Sequence, residues 1–338
     1  MKSFLLLTLL ALVLPASAQR VTVDDTARFL AGVPVVGPLQ GLMHQHAWAG
    51  HAGAMNKAWA KKESAQLLPI RAWMNTNAPQ YHRSSATMYY MFSGPDFLYA
   101  NTFFPNADTY ILCGTEPVGQ VPDLLAMPPE ALTSELAALR QSMSTMLSFH
   151  YFITKDMRMD LTRGHLGGTV PILYVFLARL GHTVIDTTYV KSPAPGVKIT
   201  FSGHGGRQTL YYFKTDLSNG GGSGGFLKWC AGQGPGNSLL KAASYLMHTE
   251  GFSNVRRFLL EESRVIVQDD SGIPLRSFPR GWNVRCYGNY VQHAEMFGKY
   301  HQPDLAQFYA QQNPPALGFA FGYHWQKSRG MLMLGTRE

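Results

Sequence analysis

Apolar positions along this chain recur with two periods, and the alternation between them is its main structural signal. "LQGLMHQHAWAGHAGAMNKAWAKKE" (39–63) and "MPPEALTSELAALRQSMSTMLSFHYFI" (127–153) repeat at helical spacing, the second opening on Pro128-Pro129. "DDTARFLAGV" (24–33) predicts a short helix with an acid-rich first turn, and "TVPILYVFLARLG" (169–181) a helix capped by Thr169 and stopped at Gly181. "SLLKAASYLMH" (238–248) and "FSNVRRFLLEES" (252–263) also read as helices. Strands are predicted in "RSSATMYYMFSGPD" (83–96), "TYILCG" (109–114), "HTVIDTTYV" (182–190) and "RVIVQDD" (264–270). "VKITFSGHGGRQTLYYFKTD" (197–216) reads as a hairpin turning at His204-Gly205-Gly206. "GFAFGYHW" and "MLMLGT" near the end read as a final antiparallel pair, and "SNGGGSGG" (218–225) as a flexible loop.

Strands alternating with helices predict an α/β domain. The expected form is a Rossmann-like three-layer sandwich with a mainly parallel, mixed central sheet. An N-terminal helical segment (19–82) precedes the α/β domain (83–338), and no internal repeat is present.

The first residues carry a different signal. Lys2, the apolar run Phe4 to Leu14, Pro15 and then Ala16-Ser17-Ala18 have the form of a secretory signal peptide, 1–18, cleaved after Ala18. Gln19 follows where a lipoprotein would carry cysteine. The longest later apolar run, "VPILYVFLARLG", is too short for the roughly 20 residues that a membrane span takes. The expectation is an exported protein, periplasmic or secreted, without a membrane span in its mature chain.

Composition narrows the partners. Charged residues make up 15% of the chain, below the typical ~25%, while 16 Tyr and 19 Phe are present. The net charge of +8 is scattered and not focused into the stripe that nucleic-acid binding uses, so no nucleic-acid partner is expected. The three cysteines allow one disulfide in an oxidising compartment; Cys113 sits inside an apolar strand, which leaves Cys230 and Cys286 as the better pair.

"FSGPDFLYANTFFPNADTYILCGTEPVG" (92–119) reads as strand, tight turn, helix and strand, with an acid near each strand tip. This layout resembles the start of Rossmann-like nucleotide folds, including S-adenosylmethionine-dependent methyltransferases. The resemblance covers this stretch alone and implies Gly94 at the phosphate turn and Glu116 on a ribose. The pattern departs from it: G-x-G-x-x-G is missing, and Pro95 removes a backbone donor. Taken together, "SGPDFLYANTFFP", "EPVG", "LYYFKTDLSN", "YLMH", "QDDSGIP" and "RCYGNY" resemble an uncharacterised family of exported bacterial proteins, which implies no activity.

In open α/β sheets ligands sit outside the carboxyl ends of the strands. Asp96, Glu116, Asp216 and Asp269 stand at such ends and are the candidate catalytic acids, since crowded carboxylates push their pKa values apart. In "QDDSGIP", Asp269 is expected to face the rim and Asp270 to cap the turn. "TRGHLGGTVP" (162–171) is an anion-binding candidate through Arg163, His165, Gly167 and Gly168 at a helix start, with Arg285 as a further charged contact. His44, His46 and His51 do not share one helix face, so no metal centre is expected there. No G-x-S-x-G elbow occurs.

The reading is an exported protein that binds or acts on a small polar ligand at an acid-lined rim, as a hydrolase or transferase if catalytic. Its rivals are a non-catalytic envelope or interaction protein using the aromatic segments "GWNVRCYGNY" and "FGYHW", and a methyltransferase-type fold with an altered or lost cofactor site. Cofactor and protein partners are not legible.

Overall fold

The structure is a computed structural model and describes residues 20–149, 164–203, 206–291, 295–323 and 327–337. The signal-peptide expectation, Arg163 and His204 lie outside the described residues.

A nine-stranded sheet organises the chain in the order β3-β4-β5-β2-β1-β6-β7-β9-β8. The strands are β1 (Met88–Tyr90), β2 (Thr109–Gly114), β3 (Thr183–Val190), β4 (Gly196–Gly203), β5 (Gly206–Lys214), β6 (Gly236–Leu240), β7 (Ser263–Gln268), β8 (Trp282–Gly288) and β9 (Met331–Arg337). The five central strands β5-β2-β1-β6-β7 run parallel. Antiparallel strands flank them, β4 and β3 on one side and β9 and β8 on the other. The fold is therefore α/β with a mixed sheet.

Parallel strands need crossovers, and helices supply them. Phe97–Phe103 links β1 to β2, Gly224–Ala231 links β5 to β6, and Ser253–Glu262 links β6 to β7. Alternate side chains of the central strands point to opposite faces and enter two separate cores. Tyr90, Leu112, Tyr212, Leu239 and Val267 join the cluster built with the N-terminal helices, His46–Lys62 and Leu68–Asn77, and with Ala131–Phe149 and Thr169–Arg179. Tyr89, Ile111, Phe213, Leu240 and Ile266 join the cluster containing Phe226, Cys230, Val255 and Phe258. Burial on both faces explains why these strands read as continuous apolar runs.

Three expectations need correction. "SLLKAASYLMH" is not a helix: its first half belongs to β6, which is buried along its whole length, and its second half turns in irregular steps. A short apolar run buried on both sides has no period that separates strand from helix. "MLMLGT" pairs antiparallel with β7 and β8 and not with "GFAFGYHW", whose Phe319 and Phe321 instead fill the core against Phe103. Cys230 and Cys286 do not pair. All three cysteines are buried and unbridged, with Cys230 under the sheet and Cys286 in a third cluster beneath the helix Pro303–Gln312.

Candidate functional site

β1 lies at the point where the strand order reverses, with β2 on one side and β6 on the other. A cleft of about 180 Å³ opens above this point, walled by the carboxyl ends of β1, β2, β5 and β6. Phe92 and Gly94 come from the β1 turn, Glu116 follows β2, Asp216 follows β5, and Ala242 to Ser244 follow β6. Phe92 packs edge-on against Phe252 at 5.7 Å across one wall.

The β1 turn answers whether this stretch cradles a phosphate. The Gly94 N–H donates to the Cys113 carbonyl at 3.2 Å, Pro95 has no N–H, and the Tyr99 N–H donates to Asp96 Oδ1 at 3.1 Å. The Gly94 and Tyr99 donors are engaged, and a carboxylate already caps the helix.

Asp96 is wholly enclosed. Its Oδ2 accepts from the Tyr90 hydroxyl at 2.9 Å and from Lys241 Nζ at 2.9 Å, with both ionic side chains 1% exposed. Lys241 Nζ also stands 3.9 Å above the centre of the Tyr99 ring. Burial raises the Asp96 pKa against the pull of Lys241, and burial lowers that of Lys241 against the pull of Asp96. Lys62, at the end of its helix, is buried nearby and donates to the Met146 carbonyl at 2.8 Å; burial, then the Lys241 charge, lower its pKa to about 7. Asp96 is thus part of a buried ionic cluster and does not line the cleft.

Glu116 and Asp216 do line it. The Glu116 carboxylate is buried over Gly114 and accepts from the Tyr212 hydroxyl at 3.0 Å. Asp216 is exposed and accepts from the Ser218 N–H at 2.9 Å.

Asp269 does not face the rim. Its carboxylate accepts from Ala242 N at 2.8 Å, Ser271 N at 3.0 Å and Ser271 Oγ at 2.5 Å, and the side chain is fully buried. Burial, then the charge of Asp270, push its pKa up to about 7. Asp270 is buried too, accepting from the Tyr245 hydroxyl at 2.6 Å, and Tyr245 stacks on Tyr300 and Tyr323. The clamp has a reason: Ala242, Ser244 and Tyr245 all have positive φ, near 52–54°, a conformation costing side-chain-bearing residues about 1–2 kcal/mol each. Asp269 and Ser271 hold this strained cleft wall through the Ala242 and Ala243 amides.

In the stretch expected to bind an anion, the chain's own groups take the described backbone donors of residues 166, 169 and 170. Thr169 N and Val170 N donate to the Pro117 and Val118 carbonyls, and Leu166 N donates to the Glu135 carboxylate at 3.0 Å. Gly167 and Gly168 lie against Gly119, and His165 is exposed. Arg285 is exposed on the outermost strand β8, across the sheet from the cleft. Buried His51 sits between the Leu30 carbonyl and Arg140, while His44 and His46 are exposed. Among the described residues no three His, Cys, Asp or Glu side chains are grouped so as to hold a metal ion.

Sequence reading missed Lys241, Lys62, Tyr90, Tyr99 and Tyr245. One signal was present: Lys241 ends an apolar run as the acids do. No protein-family model, curated protein or solved structure matches this chain.

Proposed function

We propose that the protein binds a small polar ligand in the cleft above β1, between the tips of β2, β5 and β6. The observation that carries this reading is the cleft's place at the reversal of strand order, where open α/β sheets accept their ligands. Among the described residues Glu116 and Asp216 are the ionisable groups that line it, so hydrolase or transferase chemistry would use them. The same reading takes the protein as exported, on the form of residues 1–18. For the aromatic-surface alternative, Tyr287 and Phe321 are buried, Trp282, Tyr290 and Tyr323 are half-buried, and Trp325 lies outside the described residues. The test is a thermal-shift screen of small metabolites on the parent and on Thr115→Trp, which fills the cleft from an exposed lining position. Ligands that stabilise the parent alone support the reading. A screen whose ligands all stabilise both proteins equally, or that yields none, removes it.

A second reading is a Rossmann-like, methyltransferase-type fold whose cofactor site is altered or lost. This reading is supported by the layout of residues 92–119, where a parallel strand, a turn, a helix and a second parallel strand follow one another, as the resemblance implies. In that resemblance Glu116, which follows β2, takes the place of the ribose-binding acid. The engaged amides of the β1 turn and the small cleft favour loss of the original cofactor over its retention. Calorimetry with S-adenosylhomocysteine tests retention of the cofactor site: binding weakened by Glu116→Gln would support a retained site, and absence of binding would support its loss.

No helix among the described residues is long and apolar enough to cross a membrane.

A further inference from the structure

Two walls of the cleft are tied to each other by one residue that does not line it. Thr215, Asp216 and Leu217 line the cleft from the tip of β5, and Leu246 and Phe252 line it from the segment after β6, although β2 and β1 separate those strands in the sheet. Asn219 bridges the two walls. Its N–H donates to the Gly251 carbonyl at 2.7 Å, its Nδ2 donates to the Glu250 carbonyl at 2.8 Å and to Ser253 Oγ at 3.0 Å, and its Oδ1 accepts from the Asn254 N–H at 3.1 Å. Among the described residues no other hydrogen bond carries 216–222 to another loop: the Ser218 N–H donates to Asp216, and Gly221 N and Ser223 Oγ donate to the Ser218 carbonyl. The two sides of this tie differ in stiffness. Arg256 donates to the Met247 carbonyl at 2.6 Å and pairs with Glu250, which pins the far side to its own helix, Ser253–Glu262. On the near side Gly220 and Gly222 stand in open space, Gly222 with a φ of +76°, so this loop is the one free to move. The loop holds Leu217, 3% exposed, in the core beside Phe226 and Met247. We infer that residues 216–222 form a strap that gates the cleft, with Asn219 as its latch; lifting the strap withdraws Leu217 and Asp216 from the cleft wall.

Control of a ligand by the strap rests on the cleft being the binding site; the motion does not, and it is read without a ligand. Ala243, 2% exposed on the cleft wall, is replaced by cysteine, and alkylation of the introduced thiol by iodoacetamide is followed by mass spectrometry. The proteins are Ala243→Cys alone and the same chain carrying Asn219→Ala or Asn219→Asp. Asn219 is exposed, so its substitution leaves the core intact, and the buried Cys113, Cys230 and Cys286 report any general loosening. Amide hydrogen exchange of 215–223 is measured on the same samples. Each lost hydrogen bond shifts an opening equilibrium by roughly two- to tenfold, so Asn219→Ala should speed both alkylation and strap exchange by roughly tenfold or more. Asn219→Asp keeps the acceptor for Asn254 N but loses both Nδ2 donations, and should fall between. Rates equal to those of Ala243→Cys alone overturn the strap, as does a rise shared by the native cysteines and the amides of β5. Faster exchange without faster alkylation also overturns it, because the loop then moves without opening the cleft. Faster alkylation beside a thermal-shift screen that yields no cleft ligand removes the binding reading and leaves the moving strap.

Discussion

Lys241 Nζ lies 2.9 Å from Asp96 Oδ2, and this buried contact ties together the tips of β6 and β1 on either side of the strand-order reversal. Asp96 caps the helix that follows the β1 turn, and Lys241 directly precedes the strained wall at Ala242. The pair therefore joins the two loops that border the cleft. Breaking a buried pair from one side leaves the other charge without its partner, which costs about 3–5 kcal/mol. Lys241→Met is expected to lose stability of this size in urea denaturation at pH 7. Without Lys241 the folded-state pKa of Asp96 rises further, so the loss should shrink as pH falls toward 4 and Asp96 takes up a proton. Asp96→Asn in the same background should recover part of the loss. A Lys241→Met variant as stable as the parent at pH 7 would show that the contact does not hold the loops.

Asp269 gives a second expectation, with a definite sign. Its pKa is about 7 in the folded chain against an ordinary value near 3.8. Between those values the folded state keeps a proton that the unfolded state has released. Stability from this group is complete below pH ~4 and declines as pH rises to about 7, by up to ~1.4 kcal/mol per pH unit. Asp269→Asn removes that falling limb. The variant should also lose stability throughout, because Asn has one acceptor oxygen where Asp269 uses both to hold Ala242 and Ser271.

His51 acts in the opposite direction over an overlapping window. Its Nε2–H donates to the Leu30 carbonyl at 2.8 Å and its Nδ1 accepts from Arg140 at 2.9 Å, so the folded ring is neutral. Burial lowers its pKa from 6.5 to about 4. Its stabilising contribution is complete above pH 6.5 and is lost as pH falls toward 4. The two groups oppose one another between about 4 and 6.5. Relative to the parent, the slope of stability against pH across that window should become more positive in Asp269→Asn and more negative in His51→Gln, which has a donor and an acceptor but no titration. Thermal unfolding at half-unit pH steps reads both, and slope changes of the same sign in the two variants would refute the pair of assignments.

The strands of the sheet centre were legible where a turn residue followed an apolar run, as at Gly94-Pro95 and Ser271-Gly272. β6 was not, because a strand buried on both faces shows no alternation, and that misreading hid Lys241. Glu116 and Asp216, expected at the rim from their places after strands, do line the cleft, whereas Asp96 and Asp269 at similar places are buried. Asp96 and Asp269 looked identical in sequence. What distinguishes them is long-range: Lys241 is far along the chain from Asp96, and the strained Ala242 amide determines where Asp269 points. The glycines at 164–168 showed a free turn, while the Pro117 and Val118 carbonyls and Glu135 that occupy it come from other segments.

Gly114 offers the sharpest separation of site from scaffold. The residue ends β2, and a Cβ there would overlap the Glu116 carboxylate and approach Gly94 Cα at 3.1 Å. The strand is paired on both sides, with Tyr90 opposite Leu112 and Lys214 opposite Gly114, so the backbone has little freedom to give way. Glu116 is what must move. Displacing it breaks the 3.0 Å bond from the Tyr212 hydroxyl and pushes the carboxylate toward the cleft, which it then partly fills. Overpacking of this kind costs roughly 1–3 kcal/mol. Gly114→Ala should therefore remain folded at 25 °C, with a lowered denaturation midpoint, and should lose binding of any cleft ligand at least tenfold. Asp216→Asn, at the tip of the neighbouring strand β5, should change stability by less than ~0.5 kcal/mol and weaken binding by a smaller factor. Equal loss of stability in the two variants, or undiminished binding in Gly114→Ala, would show that Glu116 is not held over Gly114 as a wall of the cleft.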